Sequence, residues 1–255
     1  LKQDNSKRRI FIFTADSPDN QFQPHAIPLW EDEHTWIDSH IFIDKDNKPY
    51  LFVTNDSKDA FGGNARIYAA PLKEDLAGLA GELTFLTEPS QPWEHAWQEG
   101  ASVLRHGDWY YMTWSSQLFA SDRYSVGYAT APSPLGPWTK AQENPILHMT
   151  ACEPHLIGHA GPGHNSFITS PGENELFAVY HTRINSPESG NRQLNIDRVN
   201  FVPAGNDPPK LTIPSAPTIS PQPFPSGVPR PHTAANDEFE SPTLNRNLWT
   251  TIWRE

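Results

Sequence analysis

The sequence contains a single cysteine, Cys152, among its 255 residues. An intrachain disulfide needs two cysteines, so none can form within this chain, and a metal site built from cysteines is excluded as well. The sequence also lacks any apolar run of about 18 residues or more, the length that a membrane-spanning helix requires. We therefore expect no membrane partner.

Positive charge is scarce, with 19 Lys and Arg against 30 Asp and Glu and a formal net charge of −11. This balance disfavours nucleic acid as a partner, because there is no basic surplus to displace the counterions of phosphates. The simplest reading of the acidic surplus is solubility.

Convincing helical periodicity is missing too, and the 26 prolines are residues that helix interiors exclude. Residues 72–83, "LKEDLAGLAGEL", could form at most a turn or two of helix. The sequence therefore predicts an all-β fold.

What the sequence does contain is a series of hairpin patterns, in which two apolar runs flank a polar turn. The turns are predicted at residues 46–47, 106–108 and 171–174. Each hairpin is followed by a further short strand: "ARIYAAPL" (65–72), "YSVGYATA" (124–131) and "RQLNIDRVNF" (192–201).

These three-strand units repeat along the chain. A polar residue opens each unit, and the openers Asp38, Glu99 and His164 are 61 and then 65 residues apart. Antiparallel units of this size are typical of β-propeller blades around a central channel, where the innermost strand of each blade lines the channel. We therefore expect the three openers to occupy one blade position and to point into a shared central site.

The two ends of the chain depart from the repeat. Residues 11–22 resemble residues 127–138, which predicts that the chain enters its first blade after the innermost strand, so that one channel-facing opener is missing. We divide the chain into a partial propeller (1–205), a proline-rich linker (206–233) and the first strand of another domain (234–255).

The openers suggest glycosidic-bond chemistry, which uses two carboxyl groups with opposite protonation states. Asp38 and Glu99 fit two such groups, and the nearby Trp36 and Trp97 are suited to stacking on a sugar. Each residue also has a structural interpretation. Asp38 could cap a strand end, Glu99 could be a solvated loop acid, and His164 could be a hydrogen-bonded core histidine.

Three motifs together resemble glycoside hydrolase family 43, a family of five-bladed β-propellers. They are "WIDSHIFIDKDNKPYLFV", "EGASVLRHGDWYYMTWSS" and "GPGHNSFITSPGENELFAVYHTRI", of which the last is the most specific. "GNRQLNIDRVNF" also resembles the Arg-containing strand that closes the propeller, so the resemblance spans residues 8 to about 203. Small departures from the family pattern are Ser39 after Asp38 and Asn47 in the following turn.

The resemblance implies a role for each opener. Glu99 would be the general acid, Asp38 would modulate its pKa, and Arg192 would support the sugar pocket. His164 would lie at the propeller centre near a calcium or other ion, often through water. The family's catalytic base is an Asp that opens the first blade, and no residue of this chain matches it. The implied mechanism is inverting.

The C-terminal residues carry a second resemblance. "NDEFESPTLNRNLW" is similar to the opening of the C-terminal β-sandwich found in many family members. That sandwich favours exo-acting members, so we expect a β-xylosidase or an α-L-arabinofuranosidase acting on plant cell-wall oligo- or polysaccharides.

Alternatives stay open at this point. The chain could be an inactive fragment or a glycan-binding propeller, since without the base it has no route to activate water. A third interpretation is another carbohydrate-active propeller family, against which "GPGHNSF" argues. For this chain alone we expect little or no hydrolysis. For its location we favour the extracellular space or the periplasm, with the cytoplasm as the alternative, since exo-acting members of the family also occur there.

Overall fold

A computed structural model describes residues 7–56, 65–149, 160–172, 174–183, 191–214, 216–218 and 222–228. Within these ranges the chain forms fourteen strands and one short 3-10 turn, Pro92–Glu94, and no α-helix. Accordingly, no described helix is long and apolar enough to cross a membrane. The all-β prediction is confirmed.

The strands follow one another along the chain in antiparallel order. They are β1 (Ile12–Thr14), β2 (Gln23–Ala26), β3 (Trp36–Ile43), β4 (Pro49–Asn55), β5 (Arg66–Pro71), β6 (Thr84–Thr87), β7 (Gln98–His106), β8 (Trp109–Ser116), β9 (Ser125–Ala131), β10 (Thr139–Lys140), β11 (Ala160–Thr169), β12 (Leu176–Arg183), β13 (Arg192–Ala204) and β14 (Asp207–Thr212). They form three four-stranded sheets, β3 to β6, β7 to β10 and β11 to β14, and a two-stranded sheet of β1 and β2.

The three predicted hairpins are present, each with its turn in the predicted place. Asn47 and Gly107 take the positive φ angles of 62° and 60° that such tight turns require. The segment from residue 72 to residue 83 forms turns and no helix.

The sheets stack face to face through apolar clusters, as propeller blades do. One cluster joins the two-stranded sheet to the first four-stranded sheet. The next two join the first to the second and the second to the third. Strand β7 contacts both β3 and β11, so the first strands of the three sheets lie side by side. These are the innermost strands, which carry the predicted openers.

The described sheets form part of a propeller ring. A five-bladed propeller with four strands in each blade has about twenty strands, and the described residues supply fourteen. The strand that contains Arg192 lies inside the third four-stranded sheet, between β12 and β14. The described residues thus contain three of the innermost strands of the ring.

The predicted linker also begins too early, because its first residues form β14, the fourth strand of the third four-stranded sheet. Pro208 and Pro209 are tolerated there since an edge strand does not need every backbone N–H for pairing. Leu211, which is fully buried, and Ile213 extend the adjoining apolar cluster. Residues 234–255, predicted to begin a sandwich domain, lie outside the described residues.

Candidate functional site

The innermost strands bring three predicted site residues together at one end of the stacked sheets. One side-chain oxygen of Asp38, one of Glu99 and one ring nitrogen of His164 all lie within 4.8 Å of one another. The convergence that the repeat predicted is therefore present, although the residues are far apart in sequence.

Each innermost strand carries a β-bulge at this point. The register shifts between Ile37 and His40 on β3, between Glu99 and Ser102 on β7, and between Gly163 and Ser166 on β11. In each case an advance of three residues along the innermost strand pairs with an advance of only two residues along its partner strand. Bulges are frequent beside active sites because the extra residue re-aims a side chain.

The bulges show which residues are equivalent, and they correct the predicted alignment by one residue. In all three strands the first residue inside the bulge has a positive φ angle: 52° at Asp38, 64° at Gly100 and 55° at His164. The counterpart of Asp38 and His164 is therefore Gly100. Glu99 reaches the same site from the preceding position.

Gly100 suits this position for a steric reason. Asp38 and His164 adopt a similar positive φ angle with a side chain, but a Cβ atom at Gly100 would lie 3.1 Å from the His164 ring, which would have to shift by a few tenths of an ångström. The Gly100 N–H also donates a hydrogen bond to the Asp38 carboxylate. Through its bulge, β7 thus contacts both of the neighbouring site residues, Asp38 and His164.

Glu99 is only 7% exposed, and both of its carboxyl oxygens are held by donors. The Tyr124 hydroxyl donates to Oε1 over 2.6 Å, and the Trp97 indole N–H donates to Oε2 over 2.6 Å. Burial, together with the adjacent Glu99, raises the pKa of Tyr124 well above its usual value. Tyr124 therefore remains a neutral hydrogen-bond donor and fixes the orientation of the acid.

Asp38 shares a partly buried position with these groups. Burial raises the pKa of its carboxyl group, and the nearby Glu99 and Asp56 raise it further. His164 and the Gly100 N–H act in the opposite direction without reversing the shift. Placing two carboxyl groups so close together makes it costly to ionise both.

His164 is fixed through its backbone, because its N–H donates to Ser115 Oγ over 2.7 Å. The neighbouring His181 ring lies 5.8 Å from the Tyr124 ring in a stacked arrangement. Burial lowers the pKa of His181 to about 4, and the nearby Arg192, His164 and Arg183 lower it further. His181 is therefore neutral near pH 7.

The two predicted sugar-stacking tryptophans have different surroundings. Trp97 reaches the site and contacts Glu99. Trp36 is only 2% exposed, donates its indole N–H to Asp32, and makes edge contacts with Trp30 and Tyr68. A ring without a free face cannot stack on a sugar, so Trp36 is corrected to a core residue.

Arg192 is exposed at the first position of β13. Its guanidinium carbon lies 5.7 Å from the centre of the Phe119 ring. This contact places the Arg192 side chain against the loop that joins β8 to β9.

Three contributing residues escaped the sequence reasoning: Gly100, Ser115 and Tyr124. Only Gly100 had a usable signal, since a glycine directly after the proposed acid suggests a positive φ angle. Ser115 stands on β8 and Tyr124 directly precedes β9, and nothing in a linear repeat shows that these two positions face the site.

The cluster offers few ligand atoms for the ion that the family resemblance implies. Calcium takes six to eight oxygen ligands, whereas the cluster offers one atom each from two carboxylates and one imidazole. Both oxygens of Glu99 already accept hydrogen bonds, from Trp97 and Tyr124. The donors therefore do not fit direct chelation by all three residues. A water-mediated ion beside His164 alone stays a prediction.

Comparison with known proteins gives this arrangement a context. The family model for glycosyl hydrolases family 43 matches residues 1–206. A crystal structure of a thermostable family-43 glycoside hydrolase superposes with a TM-score of 0.75 and 38% sequence identity, covering 85% of this chain and 69% of that one. An endo-1,4-beta-xylanase structure from Bacteroides thetaiotaomicron superposes with a TM-score of 0.69 and 26% identity, covering 81% and 67%.

Among curated proteins, a beta-D-galactofuranosidase of Aspergillus niger is 30% identical over 170 residues, covering 66% of this chain and 44% of the relative. An extracellular exo-alpha-(1->5)-L-arabinofuranosidase of Streptomyces avermitilis is 29% identical over 162 residues, covering 58% and 32%. The chain thus spans less than half the length of either curated relative. With its stacked four-stranded sheets, its converging Asp38, Glu99 and His164, and a family match over residues 1–206, the chain belongs to glycoside hydrolase family 43.

Proposed function

We propose that this chain contributes the general acid of an inverting glycosidase that removes terminal pentoses, xylose or arabinofuranose, from plant cell-wall oligo- or polysaccharides. The observation that carries the proposal is the buried Glu99, held at both oxygens by Tyr124 and Trp97 and placed beside Asp38. A general acid must be oriented toward one oxygen of the substrate, and these donors restrict its rotation.

The separation of the two carboxyl groups supports different roles for them. In inverting glycosidases the acid and the base lie about 6.5–9.5 Å apart, which leaves room for the attacking water. The nearest side-chain oxygens of Asp38 and Glu99 lie within 4.8 Å of each other, which is below that range. Asp38 therefore suits the role of modulator, and we assign the base to a residue outside the described part of the chain.

A retaining mechanism would need Asp38 as an ionised nucleophile, since retaining pairs lie about 5–5.5 Å apart. The family resemblance of the motifs implies inversion instead, and the anomeric configuration of the first product distinguishes the two mechanisms.

The relatives guide the choice of sugar. One is described as an exo-acting arabinofuranosidase, which supports a terminal pentose, and that protein is extracellular, which supports secretion here. Another is a galactofuranosidase, which shares the furanose ring and makes galactofuranose a second candidate. A water-mediated ion near His164 remains part of the proposal.

The test is a substrate panel on an active full-length protein carrying this chain. We expect turnover of an aryl α-L-arabinofuranoside or an aryl β-D-xyloside, and proton NMR should show inversion in the first product formed. Faster turnover of an aryl β-D-galactofuranoside would show that the preferred substrate is a hexofuranoside and not a pentoside. Retention would assign Asp38 as nucleophile, and sugar binding without any turnover would support the glycan-binding alternative.

Replacement of Asp38 by asparagine tests the modulator role. When two carboxyl groups lie this close, ionisation of one opposes ionisation of the other, and a general acid works only while it holds its proton. Without the Asp38 carboxyl group, the alkaline limb of the pH–kcat/KM profile should move to lower pH. Asp46→Asn, in an exposed turn, serves as the control. If the alkaline limb of Asp38→Asn stays where it is in the wild type, Asp38 does not modulate Glu99.

A further inference from the structure

The loop between β8 and β9 presents two large apolar side chains to solvent beside the site. Leu118 is 62% exposed and Phe119 is 53% exposed. The loop leaves β8 after Ser116, whose partner on β7 is Gln98, the residue before Glu99. The exposed pair therefore lies at the same end of the sheet as the general acid.

This loop is held in place along its length. The Gln117 side chain donates to the Trp93 carbonyl, and Arg183 donates to the Ala120 carbonyl. The Gly161 N–H donates to the Asp122 carbonyl over 3.1 Å. At its far end, Tyr124 bonds to Glu99. Exposed apolar groups on an anchored loop can bind a ligand with little loss of conformational entropy.

Arg192 restricts the Phe119 ring from one side, since its guanidinium lies 5.7 Å from the ring centre. An aromatic ring offers an apolar face to the C–H groups of a sugar, and a guanidinium offers several N–H donors to its hydroxyl groups. Together they have the chemistry of a carbohydrate-binding surface.

We propose that Phe119 and Leu118, with Arg192 fixing the ring, bind the sugar of the leaving group. The loop runs directly into Tyr124, which orients Glu99. A general acid faces the leaving-group oxygen, so a surface on the acid's side contacts the part of the substrate that departs. This inference rests on the proposed function and adds the residues that select the leaving group.

The experiment compares two substrates of the active full-length protein that share the same terminal sugar. One has a second sugar as its leaving group, and the other has a methyl group. In Phe119→Ala we expect kcat/KM to fall about tenfold for the first substrate, since one aromatic contact is lost. For the methyl glycoside it should change less than about twofold, and Phe119→Trp should keep most of the activity on both.

The control is Phe85→Ala, which removes a ring of similar exposure, 47%, from β6. Equal losses on both substrates in Phe119→Ala would show that the loop only positions Tyr124, and unchanged rates on both would show that no sugar contacts the ring. Either result overturns this inference. Failure of the wild-type protein to cleave any glycoside would instead overturn the proposed function, so the two failures are distinguishable.

Discussion

Replacing Glu99 with glutamine should slow the cleavage of glycosides with poor leaving groups by about 10²–10⁴-fold, the usual contribution of general acid catalysis. An alkoxide or sugar oxygen leaves readily only when it is protonated, and the amide of glutamine is too weak an acid to supply the proton. A dinitrophenolate leaves without protonation, so its glycoside should be affected far less. The measurement is kcat/KM over a series of aryl and alkyl glycosides that share one terminal sugar.

Glutamine nearly preserves the shape of the side chain, and it can still accept hydrogen bonds from Tyr124 or Trp97. The matched control is Glu82→Gln, at an exposed position of the chain, which should leave every rate unchanged. A loss in Glu99→Gln that is equal across the series would contradict the role of Glu99 as proton donor.

Replacing Gly163 with alanine should reduce both stability and activity, although Gly163 has no ligand-binding group. A Cβ atom there would lie well inside contact distance of the Tyr124 ring and 3.2 Å from Ser115 Oγ. Overpacking of this kind costs about 1–3 kcal/mol of folding free energy. The Tyr124 hydroxyl would also move away from Glu99, and a misplacement of about 1 Å can cost around 10²-fold in rate.

Two companion variants separate steric strain from the lost hydrogen bond. Tyr124→Phe removes the hydroxyl and keeps the ring, so activity should fall with little change in melting temperature. Gly78→Ala is the control, since a Cβ there meets only the flexible end of Lys73. The rate losses of Gly163→Ala and Tyr124→Phe should combine to less than their product, because both act on one contact. Fully multiplicative losses would show that Gly163 does not act through Tyr124.

Much of the fold could be read from the pattern of residues. Alternating apolar runs and Gly or Asn turns located the three hairpins, because strand periodicity and positive φ angles are local properties. The strand β14 was missed for the opposite reason. Pro208 and Pro209 disfavour a strand by local rules, and only their place at a sheet edge makes the strand acceptable.

The site was partly predictable in the same sense. Asp38, Glu99 and His164 were found from a repeat and a family resemblance, and they do converge. Trp36 looked equivalent to Trp97, yet one ring is buried in the core and the other reaches the acid. Neighbouring residues on a strand point to opposite faces, and a bulge changes the alternation, so position in the sequence did not decide between the two rings.

By itself, the sequence determined the all-β class, the hairpins, the family and the three residues that meet at the centre, because these depend on local pattern and on motifs. Tertiary structure alone decided the one-residue offset that makes Gly100 equivalent to Asp38 and His164, and the hydrogen bond that Glu99 accepts from Tyr124, the residue directly before the third strand of the sheet. The physical reason is that both depend on contacts between strands. A bulge shifts which residues face one another, and a hydrogen bond over 25 residues of chain forms only after the sheet has assembled.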